Sequence, residues 1–312
     1  MSDNAAIPDR ADIERLETLS PFELRETLIS LGTHSQQRVA HALLNAGRGN
    51  PNFLAAAPRE AFFQLGLFAV QDGREVGQWQ TDLIAQPKQQ DISKRLDAWL
   101  AARVDEPGIA LLTAICSWAD DQGWDGDEFV FELVDGILGE HYPDPPAMLS
   151  YCSQVTARYL ATLMGEGFPG DRIDLFATEG GTAAMCYVFG SLFANGILHP
   201  GDGVAIMAPV FTPYLDIVSL PEYGLEQVLL EADVTFPDGT HSWQYSAEQI
   251  DKLRDPSIKL LICINPTNPP SVRLSDDTLA QIAEIVATVN PGLVIITDDV
   301  YATFVQGFRS LA

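Results

Sequence analysis

Leu260 to Pro270 reads LLICINPTNPP. The apolar run Leu260 to Ile264 suits a strand buried on both faces and is too short for a helix, and Asn265-Pro266 ends it abruptly. Pro266, Pro269 and Pro270 each fix φ and remove a backbone donor, so Asn265, Thr267 and Asn268 are held stiffly just past a strand's carboxyl end. In open α/β sheets ligands sit at such ends. An ordinary Asn/Pro turn is the plainer reading of the same residues, and the rest of the chain decides between the two.

On both sides of this stretch, short apolar runs alternate with helical patterns. Strands are expected over Ile173 to Ala177, Gly203 to Met207, Leu225 to Leu230, Ile258 to Ile264 and Leu293 to Thr297. Helices are expected over Met148 to Met164, Thr182 to Asn195, Pro213 to Leu220, Ser246 to Leu253 and Ser275 to Val289, with a turn-rich stretch from Val234 to Trp243. Alternation of this kind implies an α/β fold with a mostly parallel sheet covered on both faces. Earlier in the chain the pattern is helical: Arg59 to Val70, Ile92 to Ala102, Ile109 to Asp120 and Glu128 to Gly139. Nothing in that layer carries chemistry. Before it, Ser20-Pro21-Phe22-Glu23 has the form of a capping box, and Gly47 to Phe53 is too rich in Gly, Asn and Pro for regular structure.

Three more segments follow strands. Ala177-Thr178-Glu179-Gly180-Gly181-Thr182 opens a helix through two glycines, so free N–H groups and the positive end of a helix converge where an anion can sit. It is neither a dinucleotide fingerprint nor a P-loop. Asp298-Asp299-Val300-Tyr301 places a carboxylate at a strand end, either as a helix cap or as the partner of a heteroaromatic nitrogen. Phe211, in APVFTPY, is either a core aromatic or a flat platform for a planar group.

An anion cradle, an aromatic platform, a rigid Asn loop and a strand-end carboxylate, in that order, resemble the fold-type I pyridoxal-phosphate enzymes of the class I aminotransferase family. The resemblance implies that Gly180, Gly181 and Thr182 bind the cofactor phosphate, Phe211 stacks on its ring, and Asn268 and Tyr301 reach its 3′-oxygen, with Asp298 at the ring nitrogen. Tyr142 matches a tyrosine that reaches a neighbouring subunit's phosphate, which implies a homo-oligomer of at least two subunits. Gly49 and Asn268 match substrate-contacting positions, and Arg48 is a candidate carboxylate contact. The amino-terminal segments SPFEL, LNAGRGNPN and PREAFF look like the branch of the family that removes the β-carboxylate of L-aspartate, giving L-alanine and CO₂ with aminotransferase side activity. An aspartate or aromatic aminotransferase is the main alternative. On this reading residues 1–57 are an arm with part of a small domain, 58–140 a helical insertion, and 141–312 an incomplete cofactor-binding domain lacking its carboxyl-terminal partner.

One feature departs from the family. It requires a Schiff-base lysine shortly after the Asp298 to Tyr301 motif, and the lysines here are Lys88, Lys94, Lys252 and Lys259. The expectation is therefore a fragment of a longer enzyme, inactive alone, with a non-catalytic ligand-binding or assembly module as the alternative.

Composition narrows the partners. With 18 Lys plus Arg against 43 Asp plus Glu, the formal charge of −25 argues against nucleic acid, and an anionic ligand must meet a local cluster of donors. No apolar run approaches bilayer length, and the acidic first residues resemble neither a secretory signal nor a transit peptide. Cys116, Cys152, Cys186 and Cys263 form no CxxC pair and read as reduced core thiols of a cytoplasmic protein, with no metal site.

Overall fold

The structure, a computed structural model, describes residues 16, 18–20, 23–24, 26–30, 54–77, 86–139, 146–164 and 173–312. It separates into two compact units, one comprising 50–159 with 171–177, the other 1–49, 160–170 and 178–312.

The first unit is helical: α1 (Ala56–Gly77), α2 (Ile92–Ala101), α3 (Ile109–Asp121), α4 (Gly126–Leu138) and the first ten residues of α5 (Ser150–Met164). Phe68, Ala69, Ile92, Leu96, Ile109 and Val134 are buried in its core. α1 runs seven residues past the expected end at Val70. The polar Asp72-Gly73-Arg74 resembles a stop, yet Asp72 is only 3 % exposed and takes a two-point contact from Arg95, at 2.6 Å from Nε and 3.1 Å from Nη2. Asp125 caps α4 through the N–H groups of Asp127 and Glu128, while the Asp127 carboxylate accepts the Asp91 and Ser93 N–H groups at the start of α2. These hydrogen bonds hold the Asp127 carboxyl below its ordinary range, the Ser93 hydroxyl contributing most.

The second unit holds the sheet. Strands β1 (Gly203–Ala208), β2 (Glu226–Glu231), β5 (Ile258–Ile264) and β6 (Val294–Asp298) form one sheet in the order β2-β1-β5-β6, every pair parallel. Helix α6 (Gly181–Ala194) and the short α7 (Pro213–Val218) contribute to a core that includes Val204, Ile206, Leu260, Ile262 and Ile264. The alternate strand residues, Ala205, Met207, Leu261 and Cys263, pack in a second core with α8 (Ala247–Asp251) and α9 (Asp276–Thr288). Period-two alternation between two apolar cores is what a sheet covered on both faces requires, and it explains why Leu260 to Ile264 is apolar throughout.

Two expectations are corrected. Ile173 to Ala177 forms no strand: among the described residues no segment forms a ladder with it, and Phe176 is 70 % exposed. A strand is stabilised by its partner, and an apolar run alone does not supply one. Within the turn-rich Val234 to Trp243 stretch, β3 (Val234–Thr235) pairs antiparallel with β4 (His241–Gln244). The Ser20 capping box does form, with Ser20 N donating to Glu23 at 3.1 Å and Glu23 N donating to Ser20 Oγ at 3.3 Å. The expected helix at Gln36 to Asn45 and the Gly47 to Phe53 loop lie outside the described residues. All four cysteines are free, but Cys186 is exposed rather than core, because it lies on an outward face of α6. No helix among the described residues is long and apolar enough to cross a membrane, and these residues contain no group of potential metal ligands.

Candidate active site

Parallel strands bring their carboxyl ends to one edge, and in register Ile264 lies beside Asp298. Three connections leave that edge together: Pro209 to Thr212 after β1, Asn265 to Arg273 after β5, and Asp299 to Tyr301 after β6. They surround a cavity of ≈ 490 Å³ lined by Gly181, Thr182, Phe211, Asn268, Asp298 and Tyr301, among others.

At one end of this cavity is the amino terminus of α6. Gly180 precedes it with φ 110°, a conformation that side chains resist, and no side chain caps the helix. The N–H groups of the first turn are therefore available to a ligand, and the helix dipole favours an anion there. A Cβ built on Gly181 meets no atom within 4 Å, so the missing side chain leaves open room beside those donors. Among the described residues, no lysine or arginine lines the cavity. Glu179, next to the cradle, accepts the Tyr187 hydroxyl at 3.1 Å.

Another part of the lining comes from Phe211, α7 and β6. Phe211 and Tyr214 meet edge to face, ring centres 5.6 Å apart and planes at 84°. Tyr214 is 5 % exposed, and its hydroxyl donates to Asp298 Oδ2 at 2.5 Å. Burial, and then Asp298, push the phenol's pKa well above its ordinary value, so it keeps its proton at neutral pH. Val300 N donates to the other oxygen of Asp298 at 3.2 Å. Asp299 also lines the cavity, but its carboxylate is engaged within the protein: its Oδ2 accepts from Ser310 at 2.6 Å and Thr297 at 3.1 Å, while its Oδ1 is buried without a partner among the described residues. Burial raises the Asp299 pKa, against the lowering effect of those two hydroxyls.

The Asn loop divides its labour. Asn265 is 2 % exposed; its N–H donates to Asp298 O at 3.0 Å, its side-chain oxygen accepts Leu274 N at 3.0 Å, and its Nδ2 donates to Arg309 O at 3.3 Å. Thr267 closes the loop through Val272. Asn268 alone of the three lines the cavity, and the Asn268-Pro269 bond is cis, as are Asn265-Pro266 and Ala208-Pro209. Replacing Asn265 by alanine is expected to cost about 2 kcal/mol, because buried donors and acceptors lose their partner. Asn268→Ala, half-buried at a cavity, should cost less than about 0.5 kcal/mol. Urea unfolding of the two variants checks the difference, and equal costs would refute the division of roles.

With this geometry in hand, comparison with known proteins is specific. Residues 144–311, more than half of the chain, match the family model of class I and II aminotransferases. The chain belongs to that family. A Pseudomonas protein named as a bifunctional aspartate aminotransferase and L-aspartate β-decarboxylase is 45% identical over 303 residues, covering 96% of this chain and 56% of its own length. An aspartate aminotransferase from Streptomyces avermitilis is 29% identical over 48% of this chain and 34% of its own. Among solved structures, an alanine aminotransferase from Pyrococcus furiosus is similar with a TM-score of 0.45 and 22% identity, over 58% of this chain and 42% of that one. The chain thus spans about half the length, or less, of the relatives it matches.

Within this family member, Gly181, Thr182, Phe211, Asn268, Asp298 and Tyr301 are brought together as the sequence suggested, with Gly180 preceding the first of them. Tyr142, Gly49 and Arg48 lie outside the described residues. None of the four lysines lines the cavity; Lys94 pairs with Asp91 and Lys252 with the Leu229 carbonyl and Gln249. Tyr214 escaped the sequence reading. Its signal is Pro213, which marks the first helical position and so places Tyr214 in the first turn of a helix that begins two residues after Phe211.

Proposed function

We propose that this chain forms the cofactor-binding part of a pyridoxal-phosphate enzyme that converts L-aspartate to L-alanine and CO₂, with aspartate transamination as a second activity. The observation that carries the reading is the cavity itself. It sets an uncapped helix start, a flat aromatic ring and a strand-end carboxylate around one space, in a chain 45% identical across 96% of its length to the Pseudomonas bifunctional protein.

A phosphorylated heteroaromatic group fits these donors. Gly180, Gly181 and Thr182 hold its phosphate with backbone N–H groups and a hydroxyl, and Phe211 lies against its ring. Asn268 and Tyr301 donate to the ring's 3′-oxygen, and Asp298 holds a proton on the ring nitrogen. When bound, the cofactor supplies an electron sink conjugated to the substrate. Asn268, and Gly49 and Arg48 from the amino-terminal segment, face the substrate's carboxylates, and Tyr142 serves a neighbouring subunit's phosphate in a cytoplasmic homo-oligomer. The other reading, an aspartate aminotransferase without decarboxylation, is favoured by the Streptomyces avermitilis relative.

The test uses a protein that carries this chain together with a Schiff-base lysine, given L-aspartate, pyridoxal phosphate and no keto acid. Release of CO₂ and alanine in equal amounts is the expected result. Aspartate loss that depends on an added keto acid, with no CO₂, would establish the aminotransferase reading instead.

A further inference from the structure

The carboxylate that faces the cavity does not stand alone. Asp298 carries one donor on each oxygen, Tyr214 on Oδ2 at 2.5 Å and Val300 N on Oδ1 at 3.2 Å. An ionised carboxylate has about four lone-pair sites, so each oxygen keeps one for a ligand. Two donors on different oxygens fix the rotation of the group as well as its place.

We propose that Tyr214 is a positioning residue for Asp298: its phenol, delivered from α7, sets the carboxylate's orientation so that its remaining lone pairs face a ring nitrogen held against Phe211. The inference rests on the cofactor reading above and adds a residue to it.

Three features of the chain support it. The Tyr214 ring is buried and held edge-on by Phe211, so the hydroxyl arrives from a fixed direction. Phe211 lies just before the cap of α7 and Tyr214 in its first turn, and Tyr214 N donates to Phe211 O at 3.0 Å, so the surface that would stack on the ring and the group that aims the carboxylate are tied by one turn of backbone. The donor is also neutral. A lysine, arginine or protonated histidine would pair with the carboxylate's charge, whereas a phenol fixes the group and leaves that charge for the ring nitrogen.

The experiment compares the 312-residue chain with Tyr214→Phe, Asp298→Asn and the double variant. Each is titrated calorimetrically with pyridoxamine 5′-phosphate and with its 1-deaza analogue, in which a C–H replaces the ring nitrogen. Tyr214→Phe keeps the buried ring, and circular dichroism checks that it folds. The wild-type chain should prefer pyridoxamine phosphate over the analogue. Tyr214→Phe should bind pyridoxamine phosphate about tenfold more weakly, with the analogue unaffected and no further loss in the Asp298→Asn background. Equal weakening toward both ligands, an effect that persists without Asp298, or an unchanged preference would each overturn the inference while leaving the cofactor reading in place. If the wild-type chain binds neither ligand, the cofactor reading falls and takes this one with it.

Discussion

Gly108→Ala is expected to destabilise the helical unit by about 3–4 kcal/mol, a large part of a domain's usual margin. Gly108 precedes α3 with φ 84°, and a Cβ built there would lie 2.4 Å from Ala61 N and from Glu60 C, and 2.8 Å from Glu60 O. Those atoms are backbone of α1, so no side chain can swing aside. A left-handed non-glycine residue costs roughly 1–2 kcal/mol by itself, and pushing two packed helices apart adds about 1–3 kcal/mol. The separation would also loosen Ala61, Leu65, Ile109 and Leu112, which are buried together. Gly123 supplies the control. Its φ is 75°, but nothing lies within 4 Å of the added Cβ, so Gly123→Ala should cost only the conformational part, about 1–2 kcal/mol. Tryptophan fluorescence during urea unfolding reports the right unit, because Trp99, Trp118 and Trp124 fall within it and Trp243 does not. Equal unfolding midpoints for the two variants would show that the close approach at Gly108 carries no energetic weight.

The same contrast between local pattern and tertiary neighbour explains what the sequence made legible. β5 spans Ile258 to Ile264 as expected, because burial on both faces is written into every residue of the strand except Lys259. The site's outline was legible for a similar reason: Gly-Gly, Asn-Pro and Asp-Asp are local punctuation, and parallel strands oblige them to share one edge. Longer-range facts were not. How each of two adjacent aspartates is held at the cavity depends on partners 84 and 11 residues away, Tyr214 for Asp298 and Ser310 for Asp299. The helix expected to end at Val70 continues because Arg95, 23 residues on from Asp72, pairs with that aspartate. Ile173 to Ala177 shows the opposite failure, a good local pattern with no strand beside it among the described residues.

Gly181→Leu should separate binding from stability at the other end of the site. Gly181 is exposed at the head of α6, and a side chain there meets no protein atom within 4 Å of its Cβ. Leucine is the better helix former by up to about 1 kcal/mol, so the fold should lose nothing. The space it enters is the cavity beside the first-turn N–H groups, where an anionic ligand would lie. Each charge-assisted hydrogen bond denied to a phosphate is worth about 1.5–3 kcal/mol, and losing one or two of them weakens binding about 100-fold. Gly180→Ala makes the complementary case: at φ 110° it should cost about 1–2 kcal/mol of stability while adding only a methyl group beside the cradle. Thermal melts and pyridoxamine-phosphate titrations of the two variants give opposite orders if the cradle holds the phosphate. Were Gly181→Leu to bind as tightly as the wild-type chain, the phosphate would have to sit elsewhere, and Asp298 would lose the geometry that makes it the ring-nitrogen partner.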